Sequence, residues 1–325
     1  MKEELKKRIV VHILKFIPKN QKPVSYLANA LNVSRESAYR RLRGDIPFTM
    51  EELIVLATNL DFSIDAIYDI EKQNQAFYDF SRAGKKDTND FFLLMLKKYN
   101  ELLGKMKAAQ KIETIMAFNT FPPPFFTSHP CLFKFLYYKW LLQNNGDQRN
   151  KPYSETLIPE EAAVFQRKIR ENIITGEDVT LILDTNIFLN LIKEIQYFYQ
   201  RKLLSKEEIH LLKDDMLRFI ETYEEIVQTG NYGSAKAQIY LSPLCVNSNM
   251  VYYAYDNSVE PLFWIFTINP VVIQNAGIIS MQLKWFNNLR QQSALITQSN
   301  EIKQAEFFYQ QREYLDKYLS VDDTV

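Results

Sequence analysis

Residues that begin or end helices recur at short intervals in the first seventy positions of the chain. Apolar residues spaced three and four apart predict an amphipathic helix over 3–17, and Pro18 ends it because proline disfavours helical geometry in the residue before it. Pro23 lies where a second helix, 24–31, is expected to open. This stretch is therefore expected to fold as a compact group of short helices.

The next break in the pattern predicts a tight turn and a third helix. Asn32 tolerates the left-handed conformation that such a turn requires. Ser34 is a typical N-cap for a helix over 34–43, and Gly44 is a typical residue to end it.

A fourth helix is predicted to run from Thr49 to residue 60. Glu52 lies three residues after Thr49, which is the spacing of a capping box. Ser63 is a candidate cap for a short fifth helix around 64–68. We therefore predict a five-helix domain over residues 1–70.

The second and third helices of this domain have distinct inner and outer faces. Ala28 is small enough to let two helices cross closely, and the predicted inner residues are Leu27, Leu31, Val33, Ala38 and Leu42. The outer face carries charged and hydrogen-bonding side chains: Ser34, Arg35, Glu36, Ser37, Tyr39, Arg40 and Arg43. Such a helix suits the major groove of DNA, where Arg can donate two hydrogen bonds to guanine and Ser or Glu can contact other base edges.

The stretch ALNVSRESAYRRLRGD, followed by PFTMEELIVLATNLDFSIDAIYD, resembles the helix-turn-helix family of Cro and the phage repressors, the XRE type. The resemblance covers residues 1–70, about a fifth of the chain, and it implies a DNA-binding transcriptional regulator. It implies DNA-facing positions for Ser34, Arg35, Glu36, Tyr39, Arg40 and Arg43. Asn32 stands where this family usually has Gly, and Arg41 stands where a large apolar residue is common.

The net charge changes sign within this domain, although the whole chain is neutral with 39 basic and 39 acidic residues. Residues 1–43 hold eleven Lys or Arg against three Glu, a net charge of +8, whereas residues 44–70 hold six acids and no basic residue. We expect salt-dependent phosphate contacts from Lys19, Lys22, Arg40, Arg41 and Arg43. Lys22, Ser37 and Arg41 thus join the predicted DNA-binding set.

A single module of this kind buries only about 600–1,000 Å² on DNA, so a homodimer on double-stranded DNA is expected. The competing interpretation is a protein-interaction scaffold whose helical domain binds no DNA. It predicts that Arg35, Arg40 and Arg43 can each be replaced by Lys with little loss. A small-molecule effector, bound by the rest of the chain, remains an open expectation.

The chain after the five-helix domain is predicted to contain a linker and then a helical region over 91–230. A polar stretch over 71–90 is the candidate hinge. Residues 90–118 are predicted to form one long helix with an apolar stripe, either a dimerisation element or a core helix. Further helices are predicted over 131–143, 159–174, 180–202 and 205–229.

After Gly230, β-branched and aromatic residues alternate with turn signals. This pattern predicts three strands, in an antiparallel sheet, over 236–241, 249–256 and 261–267. Two closing helices are predicted over 271–297 and 300–318. The predicted fold class is mainly α, with a helical region over 91–230 and an α+β region with a small antiparallel sheet over 231–325.

The segment LILDTNIFL, residues 181–189, resembles the opening strand of PIN-type ribonucleases, in which Asp184 would be the first carboxylate of a magnesium site. The late aspartates of that family have no counterpart, since no aspartate lies between Asp256 and Asp316. A helix with outward Asp184 and Asn186 explains the same residues. We therefore predict a protein that is not an enzyme and that carries no cofactor or metal.

Two aromatic features each have two interpretations. The segment FNTFPPPFFTSHP over 118–130 is either a proline-rich ligand motif or an ordered loop packed by its own Phe residues. Six further aromatic residues belong either to the core or to an effector pocket: Trp140, Tyr252, Tyr253, Tyr255, Trp264 and Trp285.

The remaining features favour a cytoplasmic protein. Cys131 and Cys245 have no partners at metal-ligand spacing, and a chain with three His is a poor candidate for a zinc site. The chain has no run of about 18 apolar residues and its N-terminus lacks the pattern of a signal peptide. Together with the helix-turn-helix, these observations predict a one-component transcriptional regulator.

Overall fold

The computed structural model of the chain describes residues 2–18, 21–60, 62, 64, 88–144, 150–172, 178–256, 258–265, 269–272 and 276–320. The chain divides into two compact units, a first unit of the N-terminal residues up to 77 and a second unit that holds nearly all of the rest. The predicted hinge over 71–90 lies outside the described residues except for positions 88–90. Among the helices of the described ranges, none is long and apolar enough to cross a membrane.

The described part of the first unit contains four helices. They are α1 (Lys2–Phe16), α2 (Pro23–Ala30), α3 (Arg35–Leu42) and α4 (Met50–Leu60). Each begins and ends within one residue of its predicted position. The predicted fifth helix, around 64–68, lies almost wholly outside the described residues.

Side-chain caps explain why α3 and α4 begin where they do. Ser34 Oγ accepts a hydrogen bond from the Ser37 N–H at 3.2 Å. The Glu52 N–H donates to Thr49 Oγ1 at 3.2 Å, and the Thr49 N–H donates to Glu52 Oε2 at 3.1 Å. The predicted capping box is therefore confirmed, and it satisfies backbone N–H groups that a helix start leaves unpaired.

A small apolar core holds these helices together. Its buried members are Ile13, Ile17, Leu27, Ala28, Ala38, Leu53, Leu56 and Phe62. Of the residues predicted to face inward, Leu27 and Ala38 have no exposed surface. Leu31, Val33 and Leu42 are partly buried against the same core.

The described part of the second unit combines seven α-helices with one eight-stranded sheet. The helices are α5 (Thr88–Lys107), α6 (Pro130–Asn144), α7 (Glu160–Asn172), α8 (Ile187–Gln200), α9 (Lys206–Thr229), α10 (Ala276–Gln291) and α11 (Glu301–Tyr318). The strands are β1 (Ile112–Phe118), β2 (Asp178–Asp184), β3 (Asn231–Tyr232), β4 (Ala235–Ser242), β5 (Met250–Tyr255), β6 (Ser258–Ile265), β7 (Asn269–Val272) and β8 (Ala294–Leu295). The predicted fold class, mainly α with an α+β C-terminal region, is confirmed.

The sheet has the strand order β3-β4-β2-β1-β5-β6-β7, and β8 pairs with β4. Strand β2 runs parallel to β1 and to β4, whereas β5 runs antiparallel to β1 and β6 antiparallel to β5. The three predicted strands correspond to β4, β5 and β6. The sheet is mixed and not antiparallel as predicted, because β1 and β2 enter it from the region predicted to be helical.

The predicted helix over 90–118 is wrong at its C-terminal end, because α5 ends at Lys107 and residues 112–118 form β1. All but one residue of β1 are buried. A strand that is covered on both faces does not show the alternation of polar and apolar residues that distinguishes a strand from a helix.

Two other predicted helices need the same kind of correction. The predicted helix over 180–202 is divided into β2 and α8, and the one over 271–297 is reduced to α10 between the short strands β7 and β8. Strands from 91–230 and from 231–325 therefore share one sheet. The remaining predicted helices of this unit are confirmed as α6, α7, α9 and α11.

The segment with three prolines is an ordered part of the core. Its 3₁₀ turn, Pro123–Phe126, has all four residues buried, and Phe121 packs edge-on against Phe126 and Phe219. The interpretation as an ordered loop is therefore confirmed. The six aromatic residues with two interpretations are buried, apart from the partly buried Trp285.

Candidate nucleic-acid interface

A tight turn joins α2 to α3. Asn32 has a φ of 51°, and the Val33 N–H donates to the Ala28 carbonyl at 3.0 Å. Ala28 and Ala38 are both buried, and small side chains at such positions let two helices pack closely. Gly44, with a φ of 81°, ends the segment after α3. This is the predicted helix-turn-helix arrangement.

The outer face of α3 exposes most of the predicted DNA-contacting residues. The exposed members of that set are Lys22, Ser34, Arg35, Glu36, Tyr39, Arg40 and Arg43. Lys22 is the N-cap residue of α2, and Lys19 lies outside the described residues. Three arginine side chains therefore reach solvent from one short helix and its C-cap.

Local contacts orient several of these side chains. Arg35 Nη2 donates to Ser25 Oγ on α2 at 3.0 Å. The guanidinium of Arg43 lies over the ring of Tyr39, 5.8 Å from its centroid, and 3.6 Å from the carboxylate of Asp45. These exposed contacts are weak, so the side chains can exchange them for base or phosphate contacts.

Arg41 differs from the other arginines of α3 because its guanidinium is bound within the unit, and its predicted contact with phosphate stays a prediction. Its Nε and Nη2 donate to the two carboxylate oxygens of Glu52 at 2.9 and 2.6 Å. Its Nη1 donates to Ser37 Oγ at 2.5 Å. The Arg41 side chain is only 11% exposed, because the carboxylate of Glu52 draws it towards α4. Arg41 and Ser37 therefore help to position α3, and their predicted contacts with DNA stay predictions.

The charge on Glu52 is favoured in the folded unit. The hydrogen bond from Arg41 lowers the pKa of Glu52 below its ordinary value, burial acts in the opposite direction, and the bond from the Thr49 backbone lowers it further. One carboxylate thus caps α4 and binds α3 through Arg41. This connection holds the exposed face of α3 in place relative to the rest of the unit.

The geometry of this unit agrees with a comparison of protein families. Residues 7–84 match the model of the BetR domain. The BetR domain is a helix-turn-helix-type DNA-binding domain, so the match indicates a DNA-binding regulatory role for this region. It covers about a quarter of the chain. Comparison with curated proteins and with solved structures finds no match.

The sequence alone did not predict the contacts of two residues of the site, Glu52 and Ser25. Glu52 was identified as a capping residue, but its ion pair with Arg41 joins positions eleven apart in different helices. Ser25, which binds Arg35, lies ten residues away on α2. The sequence held one sign of this ion pair, because Arg41 stands at a position that is commonly apolar.

The candidate nuclease motif has a structural role. Asp184 ends β2, so the strand that the nuclease interpretation expects is present, the predicted outward position on a helix is wrong, and the side chain is buried. Its Oδ1 accepts from the Asn186 N–H at 2.8 Å and its Oδ2 from the Val246 N–H at 3.1 Å. Within the described ranges, no three His, Cys, Asp or Glu side chains are grouped so that they could hold a metal ion.

Proposed function

We propose that the protein is a cytoplasmic DNA-binding transcriptional regulator whose α3 lies in the major groove of an operator. The observation that carries the proposal is the exposed face of α3, with Arg35, Arg40 and Arg43, in a region that matches the BetR domain. A guanidinium can donate two hydrogen bonds to the O6 and N7 atoms of guanine. The face therefore has the chemistry needed to read a base sequence, and the protein needs no enzymatic activity for this role.

We infer that two copies of the chain bind one operator. A single module of this size covers too little DNA for high affinity, whereas two copies read half-sites about 34–36 Å apart. The second unit has an extensive core of its own and is the part to which we assign dimerisation. An effector would change DNA affinity only by binding one arrangement of the two copies more tightly than another.

The direct test is selection of DNA by the full-length protein. The purified chain is mixed with fragmented DNA of its own genome at moderate salt, and the bound fragments are recovered and sequenced. We expect enrichment of a two-fold symmetric site. The double variant Arg35→Ala, Arg40→Ala should lose the enrichment, because both side chains are exposed on α3.

A matched control removes two exposed arginines from the second unit. The variant Arg167→Ala, Arg170→Ala changes the net charge by the same amount on α7 and should enrich the same site. Equal enrichment by the α3 variant and the control would contradict the proposal. The protein-interaction scaffold would instead be favoured if full-length protein enriched no DNA and Lys at positions 35, 40 and 43 left its behaviour unchanged.

A further inference from the structure

A polar cavity of about 220 Å³ lies in the second unit, at one edge of the sheet. Its walls include Asn119 and Thr120, which follow β1, residues 247–249, which precede β5, and Trp264 on β6. Because β5 runs antiparallel to β1 and β6 antiparallel to β5, these segments meet at the carboxyl ends of the parallel strands β1 and β2. Ligands of open α/β sheets bind outside this edge.

Hydrogen bonds hold the rim of the cavity in one arrangement. Asn249 Oδ1 accepts from the Asn119 N–H at 2.9 Å and the Thr120 N–H at 3.3 Å, and Asn249 Nδ2 donates to Thr120 Oγ1 at 2.8 Å. Asn190 Nδ2 donates to the Asn119 carbonyl at 3.0 Å. The rim is therefore organised before any ligand enters.

Two opposite charges lie in the cavity wall. Lys139 on α6 and Glu194 on α8 form an ion pair with 2.7 Å between Nζ and Oε2. The Lys139 side chain is 8% exposed and that of Glu194 is 38% exposed. An ammonium group has three donors and this pair uses one of them, while the Glu194 carboxylate has further acceptor capacity. The wall can thus bind an anionic and a cationic group side by side.

Trp264 forms part of the cavity wall beside the rim. The residue is more than nine-tenths buried, and its Nε1 has no hydrogen-bond partner in the structure as described. The Trp264 backbone N–H donates to the Asn249 carbonyl at 3.1 Å, which ties the residue to the rim. The Nε1 atom has almost no accessible surface, so a ligand in the cavity cannot reach it and Trp264 contributes to the wall by its position only.

We propose that this cavity binds a small zwitterion, an α-amino acid, with its carboxylate on Lys139 and its ammonium group on Glu194. The single positive and single negative charge of the wall match a ligand with no net charge. The volume lies below the roughly 300–1,000 Å³ of typical small-molecule sites, which favours a small ligand. A role as an effector site rests on the proposed function, whereas binding itself does not.

The test is calorimetric titration of the full-length chain with each of the twenty L-amino acids in turn. We expect saturable binding of at least one of them, with one site per chain. Lys139→Met removes the ammonium group of the wall, and Glu194→Gln removes its carboxylate charge. Each should weaken binding by about tenfold or more, because a hydrogen bond to a charged group is lost. Lys213→Met, which removes a lysine paired with Asp316 outside the cavity, should bind as the wild type does.

Three results would overturn the proposal. The first is the absence of saturable binding for all twenty amino acids, and the second is unchanged affinity in Lys139→Met or in Glu194→Gln. The third is acetate or methylammonium binding as tightly as the best amino acid, because the site would then recognise one charged group only. The titration needs no DNA, so a failure here is distinct from a failure to enrich an operator.

Discussion

The four arginines of α3 and its C-cap have two different roles at the scale of single residues. Arg35, Arg40 and Arg43 are exposed, whereas Arg41 is held by Glu52 and Ser37. The exposed side chains can reach DNA. The buried one fixes the helix that carries them, so the two kinds of arginine should differ in what their removal changes.

Arg41→Met should destabilise the first unit by about 1–3 kcal/mol, because it leaves the half-buried carboxylate of Glu52 without its partner. The measurement is urea unfolding followed by circular dichroism at 222 nm. All three Trp residues lie beyond residue 77, so Trp fluorescence reports the second unit and should not change. Arg43→Met is the control. Its free energy of unfolding should lie within about 0.5 kcal/mol of that of the wild type, because the ion pair of Arg43 with Asp45 is exposed. Equal losses for both variants would contradict the positioning role.

Acid should destabilise the first unit through His12. Burial lowers the pKa of His12 below its usual value of 6.5, and Lys15 lowers it further. The centroid of its ring lies 5.1 Å from the ring centroids of Phe16 and of Phe62. Because the unfolded chain binds the proton more readily, stability is full above pH 6.5 and decreases as the pH falls below it.

The check is the unfolding midpoint of the helical signal at pH 7.5 and at pH 5.5, values chosen to bracket the ordinary His pKa of about 6.5. The wild type should unfold more easily at the lower pH, and His12→Phe should lose much of this difference. His210→Gln removes an exposed histidine and should keep it. A His12→Phe variant with the full pH dependence would show that another group is responsible.

At the scale of elements, the turn between α2 and α3 depends on one backbone conformation. Asn32 is exposed and has a φ of 51°, so a substitution there changes backbone strain and little packing. Asn32→Val should cost about 1–2 kcal/mol, because a β-branched residue is disfavoured in the left-handed region. Asn32→Gly should be tolerated. Urea unfolding by circular dichroism distinguishes them, and equal stabilities would argue against a strained turn.

The N-terminus of α6 depends on a carboxylate from another helix. Asp215 on α9 is 1% exposed, and its Oδ2 accepts from the backbone N–H groups of Cys131 and Leu132 at 2.8 and 3.0 Å. Asp215→Ala should destabilise the second unit by about 2–4 kcal/mol, since it leaves buried donors unpaired. Urea unfolding followed by Trp fluorescence measures this. The neighbouring Asp214 is exposed, and Asp214→Ala should have little effect on stability. An equally small loss of stability in Asp215→Ala would contradict this role of Asp215.

The elements that sequence analysis located well are those with local signals. Ser34 and Thr49 accept hydrogen bonds from the N–H groups of Ser37 and Glu52, and Pro23 has no N–H to leave unpaired. The described helices of the first unit could therefore be placed to one residue. Strands β1 and β2 are covered on both faces and gave no such signal. The Arg41 side chain turns towards Glu52 on α4. A contact between two helices cannot be read from spacing along the chain.

The whole molecule combines two units with different chemistry. The first has a small core and presents a basic helix face, and the second has a large aromatic core and a neutral polar cavity. Each contains its own set of stabilising contacts, so changes in one can be measured separately from the other. This separation suits a regulator in which one unit reads DNA and the other responds to a second signal.

We propose that α3 reads a base sequence. The deciding measurement is a fluorescence anisotropy titration of the full-length chain with the enriched duplex and with a scrambled duplex of equal composition. Each bidentate arginine–base contact contributes about 1–3 kcal/mol to discrimination, so Arg35→Ala, Arg40→Ala should lower the preference for the enriched duplex by about thirtyfold or more. Lys22→Ala should weaken binding to both duplexes alike. An unchanged preference in the double arginine variant would contradict the claim.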